Sequence, residues 1–205
     1  MIYFFDNYDN FFAEDFADLL PVRRREKFEK LKKKRDRENC VISYLLLKKA
    51  LGNLGICDFE TAVGENGKPY LLNRPDIFFN ISHSDSGVAV VVDTAPVGID
   101  IQDIVPVRDG VIERCFSQKE KDIIYASATP EREFTKRWTL KESAVKYHGE
   151  TVANLKDYSF EGAENIFAKY GKKFTVHERK NLFISVCGER DFSDIIQVTT
   201  KEELL

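Results

Sequence analysis

Four cysteines stand in 205 residues, and no two of them form a CxxC pair. Cys40, Cys57, Cys115 and Cys187 are too scattered for a zinc framework, and they point to reduced thiols in a cytoplasmic protein. No apolar run reaches the roughly 20 residues that a membrane-spanning helix needs. The opening stretch, MIYFFDNYDNFFAEDF, is acidic, so neither a secretory leader nor a transit peptide is expected. Neither a GxGxxG nor a Walker loop occurs, which removes the usual glycine-rich phosphate cradles. No low-complexity tract and no short repeat is present. A net charge of −3 argues against general polyanion binding.

What is present is a globular composition. Hydrophobic residues make up 43% and charged residues 32%, enough for one domain or two small, closely packed ones. A chain of this length buries roughly 70% of its unfolded surface, so it folds without disulfides or a structural metal. Residues 2–5 (IYFF) read as a strand, and residues 10–20 as a short acidic helix ended by Pro21. Residues 22–38 carry ten Lys or Arg against four Asp or Glu, a local balance of +6 that leaves −9 on the rest. A helix is expected over 36–51, with Gly52 as its stop. FFNIS (78–82), VAVVV (88–92) and VGIDI (97–101) read as strands, divided by the turn formers HSDSG and DTAP. Helices are expected near 118–128 and 139–148, and strands at FISVCG (183–188) and DIIQVTT (194–200). The pattern predicts an α+β fold of two lobes of about equal length packed against each other, residues 1–95 and 96–205, joined by a short turn.

Several residues sit where chemistry is possible. In RWTLKESAVKYHG (137–149), Thr139 and Glu142 have capping-box spacing, and Glu142 and Lys146 have ion-pair spacing. The same two residues could instead offer a carboxylate to a divalent cation and an ammonium to a phosphate. Magnesium is commonly held by one or two carboxylates plus substrate phosphates, so a second acid would be required. Asp100, in an otherwise apolar strand, is the candidate, with Gly98 leaving room on its face and Gln102 sharing that face. The other reading of Asp100 is an acid on a solvated edge strand. The turn with Ser82, His83 and Ser84 presents donors suited to an anion, or is a plain hairpin turn. No serine–histidine–acid order suggests a hydrolase triad. The basic run 22–38 lacks interleaved aromatics for base stacking and reads first as a solvated helix face.

Taken in order, NGKP, FNISHS, VGID and W-x-x-KE-x-x-x-K resemble the 4′-phosphopantetheinyl transferases of the large, two-lobed, synthetase-activating type. The resemblance runs from about residue 21 to the C-terminus. It implies that the two lobes are similar. It also implies transfer of the 4′-phosphopantetheine arm of coenzyme A to a serine of an apo acyl or peptidyl carrier protein, releasing adenosine 3′,5′-bisphosphate. By resemblance Asp100 and Glu142 hold Mg2+, and Glu142 activates the serine directly or through water. Lys146 neutralises the pyrophosphate, and Gln102 stands where many relatives have a second acid, as a weak or water-mediated ligand. The resemblance assigns coenzyme A contacts to Arg24, Lys27, Lys68, Pro69, Ser82, His83 and Lys146. Glu120 matches a common family acid, as a support for the site or as a structural pair. Residues 104–125, with Val107, Val111, Ile112 and Phe116, face the carrier or belong to the core. A cytoplasmic monomer without nucleic-acid or membrane partners is expected. The competing readings are a nucleic-acid-binding module built on 22–38 and a catalytically silent coenzyme A-binding relative.

Overall fold

The computed structural model describes residues 1–162 and 171–205. Its strands are β1 (Ile2–Phe5), β2 (Thr61–Val63), β3 (Pro69–Leu71), β4 (Phe78–His83), β5 (Val88–Asp93), β6 (Gly98–Asp103), β7 (Lys173–Glu178), β8 (Leu182–Gly188) and β9 (Ile195–Val198). Its α-helices are α1 (Val22–Lys30), α2 (Lys34–Gly52), α3 (Asp109–Cys115), α4 (Gln118–Ala126) and α5 (Pro130–His148).

Strands β1 and β5 are buried along their whole length, without the alternation of a half-exposed strand. Both lie in the interior of a four-stranded sheet ordered β4-β5-β1-β9. Tyr3, Phe5, Val88, Val90 and Val92 point to one face and pack with Val41, Leu45 and other residues of α2. Ile2, Phe4, Ala89 and Val91 point to the other face and meet Ile99, Ile101, Ile184 and Val186 of a second sheet. That second sheet is antiparallel, ordered β6-β8-β7. Its far face, which includes Phe174 and Cys187, packs against Leu140 and Ala144 of α5. The layers therefore run α2, first sheet, second sheet, α5: two helix-backed sheets face to face, as the α+β two-lobe reading expects.

Sequence and structure part at several element ends. The stretch 10–20 forms a 3-10 helix over Ala13–Leu19. The basic run is two helices, α1 and the start of α2, separated by an extended Leu31. Gly52 is the last residue of α2, with Asn53 as its cap. Helix α5 begins at Pro130, nine residues before the expected start, because proline at the first helical position costs no hydrogen bond. Thr139 is consequently not a cap: its hydroxyl donates to the Lys136 carbonyl and shares a 2.7 Å hydrogen bond with Ser185 Oγ. A capping box does occur at Ser117 and Glu120, where each side chain bonds the other's main-chain N–H. The last expected strand, now β9, lies parallel to β1, so the second half of the chain returns to the first sheet.

Candidate active site

The site begins with a missing side chain. A Cβ on Gly98 would lie 2.2 Å from the Ser143 carbonyl oxygen and 2.3 Å from the Tyr147 nitrogen. Only glycine lets α5 rest directly on β6. Two residues on, on the same face, comes Asp100, which is 6% exposed. Its Oδ1 accepts from Lys146 Nζ at 2.6 Å and from Ser82 Oγ at 2.9 Å. The Ser82 hydroxyl accepts in turn from Lys146 Nζ at 3.0 Å and from the Ile101 N–H at 3.2 Å. Nearby, Asn80 Oδ1 accepts from the Ile99 N–H at 2.9 Å. Side chains of β4 thus replace strand-to-strand bonds along β6 and join the two sheets where the acid sits.

Glu142 lies one turn before Lys146 on α5. Among the described residues its carboxyl forms no ion pair or hydrogen bond, so the expected i, i+4 pair with Lys146 is not made. Burial raises the Glu142 pKa, the Asp100 charge raises it further, and Lys146 opposes both. Two acids 42 positions apart in sequence therefore share one electrostatic field, and Lys146 acts on both. Gln102, on the same strand face, is half-buried, and its amide likewise has no partner among the described residues.

The chemistry of this donor set suits a hard divalent cation. It offers two carboxylates and an amide, all oxygen donors, with a residual negative charge that one ammonium does not cancel. No group of three or more His, Cys, Asp or Glu is placed to bind a metal among the described residues. An ion here would complete its shell with water or ligand oxygens, as magnesium commonly does.

The remaining candidates surround this centre. His83 ends β4, and its pKa is lowered by desolvation first, then by Lys146, Lys27 and Arg24, while Asp36 raises it. Arg24 Nε donates to the Cys40 carbonyl at 3.1 Å, and its guanidinium lies 5.9 Å from the Tyr44 ring centre. Lys27 is exposed on α1. Lys68 is placed differently. Its ammonium donates to the carbonyls of Tyr147 at 2.8 Å and Val97 at 3.1 Å, at the end of α5 and just before β6. Asn66 Nδ2 donates to the Gly149 carbonyl beside it. The NGKP turn is thus pinned to both elements that carry the acids. Pro69 opens β3.

Lys141, the neighbour of Glu142, turns away from the site. It pairs at 2.9 Å with Glu120, and both side chains are fully buried. Lys141 also donates to the Tyr158 carbonyl, and Glu120 Oε1 accepts from the Phe160 N–H at 2.8 Å. Glu120 is therefore a structural pair that ties α4 to α5. Within 104–125, Ile112 and Phe116 are buried core residues, while Val107 and Val111 are half-buried against them.

Comparison with known proteins matches this centre to one family. The model of the 4′-phosphopantetheinyl transferase superfamily matches residues 96–194, which hold Asp100, Glu142 and Lys146. A 4′-phosphopantetheinyl transferase of Bacillus subtilis is 30% identical over 204 residues, covering 90% of this chain and 89% of that protein. The chain belongs to the 4′-phosphopantetheinyl transferase superfamily. The 4′-phosphopantetheinyl transferase Sfp of Bacillus subtilis strain 168 is 28% identical, with 94% of this chain and 92% of that protein covered. The transferase AcpT of Salmonella typhi is 37% identical over 112 residues, covering 51% of this chain and 55% of that protein.

Proposed function

We infer that this phosphopantetheinyl transferase moves the 4′-phosphopantetheine arm of coenzyme A to a serine hydroxyl of an apo acyl or peptidyl carrier protein. Adenosine 3′,5′-bisphosphate is the other product. The observation that carries the reading is the Asp100–Lys146–Ser82 cluster, with Glu142 in the field of Asp100. Similarity to named transferases along nearly the whole chain supports it. The rival readings, a nucleic-acid module and a silent relative, find no support in these matches.

In this reading Asp100 and Glu142 hold a divalent ion, most simply Mg2+, with Gln102 directly or through water. The ion would neutralise charge on the pyrophosphate. Phosphoryl transfer needs positioning and charge neutralisation more than covalent chemistry. Lys146 supplies a cation at the pyrophosphate. Its contact with Ser82 and Asp100 fixes its ammonium before coenzyme A arrives. Glu142 accepts the proton of the carrier serine directly or through water. His83, Arg24 and Lys27 provide further positive or donor groups for phosphates. Lys68 and Pro69 line the turn assigned to the adenine and ribose. The protein acts as a cytoplasmic monomer.

The test is to mix the protein with apo carrier, coenzyme A and Mg2+ and to weigh the carrier by mass spectrometry. A gain of one phosphopantetheine unit, abolished by chelator and restored by Mg2+, is expected. No gain on fatty-acid, polyketide or peptide-synthetase carriers would overturn the reading.

A further inference from the structure

Asn39 sits on α2 with 3% of its surface exposed, and its amide meets three partners. One is the Ser84 carbonyl oxygen, 3.2 Å from Nδ2. A carbonyl can only accept, so the reverse amide orientation would set oxygen against oxygen. The second is Tyr8, whose hydroxyl donates to Asn39 Oδ1 at 2.6 Å. Burial raises the Tyr8 pKa well above its ordinary value, so the hydroxyl keeps its proton. The Arg35 guanidinium lies 3.5 Å from the Tyr8 ring centre and Phe5 meets the ring edge, which holds the phenol in place. The amide is therefore fixed from both ends.

The third partner is His83 Nδ1, 3.4 Å from Asn39 Nδ2. One hydrogen of Nδ2 serves Ser84, and the other faces the imidazole. A ring nitrogen facing an N–H has to be the acceptor, so Nδ1 carries no proton and Nε2 does. Nε2 has no hydrogen-bond partner among the described residues. Three cations, Lys146, Lys27 and Arg24, and one acid, Asp36, act on the same ring. A proton-bearing Nε2 in a field with more cations than acids is an arrangement for an anion.

We propose that Asn39 is a positioning residue that holds His83 as its Nε2–H tautomer, so that the ring presents one neutral donor to a phosphate oxygen. The choice of phosphate as the anion rests on the transferase reading. The tautomer does not. Neutral His83 adds direction without adding to the repulsion among the three cations. The tyrosine–asparagine–histidine chain spans β1's following loop, α2 and the end of β4. The donor is thus set by the fold before any ligand binds.

Long-range proton–nitrogen NMR of the 15N-labelled full chain at pH 7.5 reads the tautomer directly. The chain has three histidines, and His83→Gln assigns the signal. His177, whose Nε2 lies 2.7 Å from the Phe192 carbonyl, gives an internal reference for an Nε2–H ring. For His83 we expect an unprotonated Nδ1 and a protonated Nε2. A proton on Nδ1, alone or together with Nε2, overturns the proposal. Asn39→Leu is expected to give mixed tautomers, and an unchanged spectrum in a folded Asn39→Leu protein also overturns it. The functional half is tested by His83→Gln, which keeps an amide nitrogen near the Nε2 position, against His83→Asn, which does not. The coenzyme A KM should rise roughly 5–10-fold more in the second, with kcat moving less. Equal KM values defeat the phosphate role. Wild-type protein that transfers nothing defeats the transferase reading while the NMR result stands.

Discussion

Lys146 reaches past Glu142, its neighbour one helical turn away, to hold Asp100 at 2.6 Å across the boundary between helix and sheet. A lysine at i+4 from a glutamate would ordinarily pair with it for a few tenths of a kcal/mol. Here the tertiary contact wins, because Asp100 is buried and already hydrogen-bonded to Ser82. The choice leaves Glu142 without a partner among the described residues and under the influence of a second negative charge.

Lys146→Met should therefore slow transfer roughly 100-fold or more, since it removes a preorganised charge at the reacting group. The midpoint of thermal unfolding should also fall, because buried Asp100 loses its cation. Steady-state kinetics beside a melting curve separates the two. A near-normal rate would return Lys146 to a structural role.

Asp100→Asn and Glu142→Gln should each abolish carrier loading in the mass-spectrometric assay while circular dichroism stays native. Gln102→Glu adds an acid to the donor set. It should keep turnover and lower the Mg2+ concentration needed for half-maximal rate. If all three variants show the wild-type Mg2+ dependence, the ligand assignment fails.

Much of this site was legible beforehand. An acid inside the apolar run VGIDI stands out, but the glycine two residues earlier, expected to leave room on that face, is instead covered by the close approach of α5 at Ser143 and Tyr147. The strand VAVVV read correctly because continuous β-branched residues suit a strand buried on both faces. What sequence could not supply was partners. DIIQVTT announces a strand, but nothing in its pattern says that it pairs with β1. The charged stretch PEREF hid the first turns of α5, so Thr139 looked like a cap. Lys141 and Lys146 are both lysines on one helix, and only packing shows that one is sealed inside with Glu120 while the other faces the site.

Glu120→Gln should cost about 3–5 kcal/mol of stability, because it removes the carboxylate that neutralises the fully buried Lys141 ammonium. Denaturant unfolding measures this. The double variant Glu120→Gln, Lys141→Met should lose less than the two single losses combined. Strict additivity would show that the two side chains do not act as a pair.

Lys68 gives a pH signature. Desolvation lowers its pKa from 10.5 to about 8. Between those values the unfolded chain binds the proton that the folded chain has released, so stability attributable to this group rises with pH across that window. Below about pH 8 both states hold the proton and the cost of the half-buried charge is fully present. The difference in melting temperature between wild type and Lys68→Met should accordingly shift in favour of wild type from pH 8 to pH 10. A difference that stays flat, or shifts the other way, would contradict the assignment.

The parallel pairing of β9 with β1 couples opposite ends of the chain, with Ile2 beside Ile195 and Phe5 beside Val198. During synthesis β1 can pair with β5 once residue 93 has emerged, yet its other edge stays bare until residue 198 has left the ribosome. The first lobe thus spends most of translation with an open strand edge, and its completion waits on the second. Cutting the chain near residue 95 would leave the front piece with an unpaired edge prone to self-association.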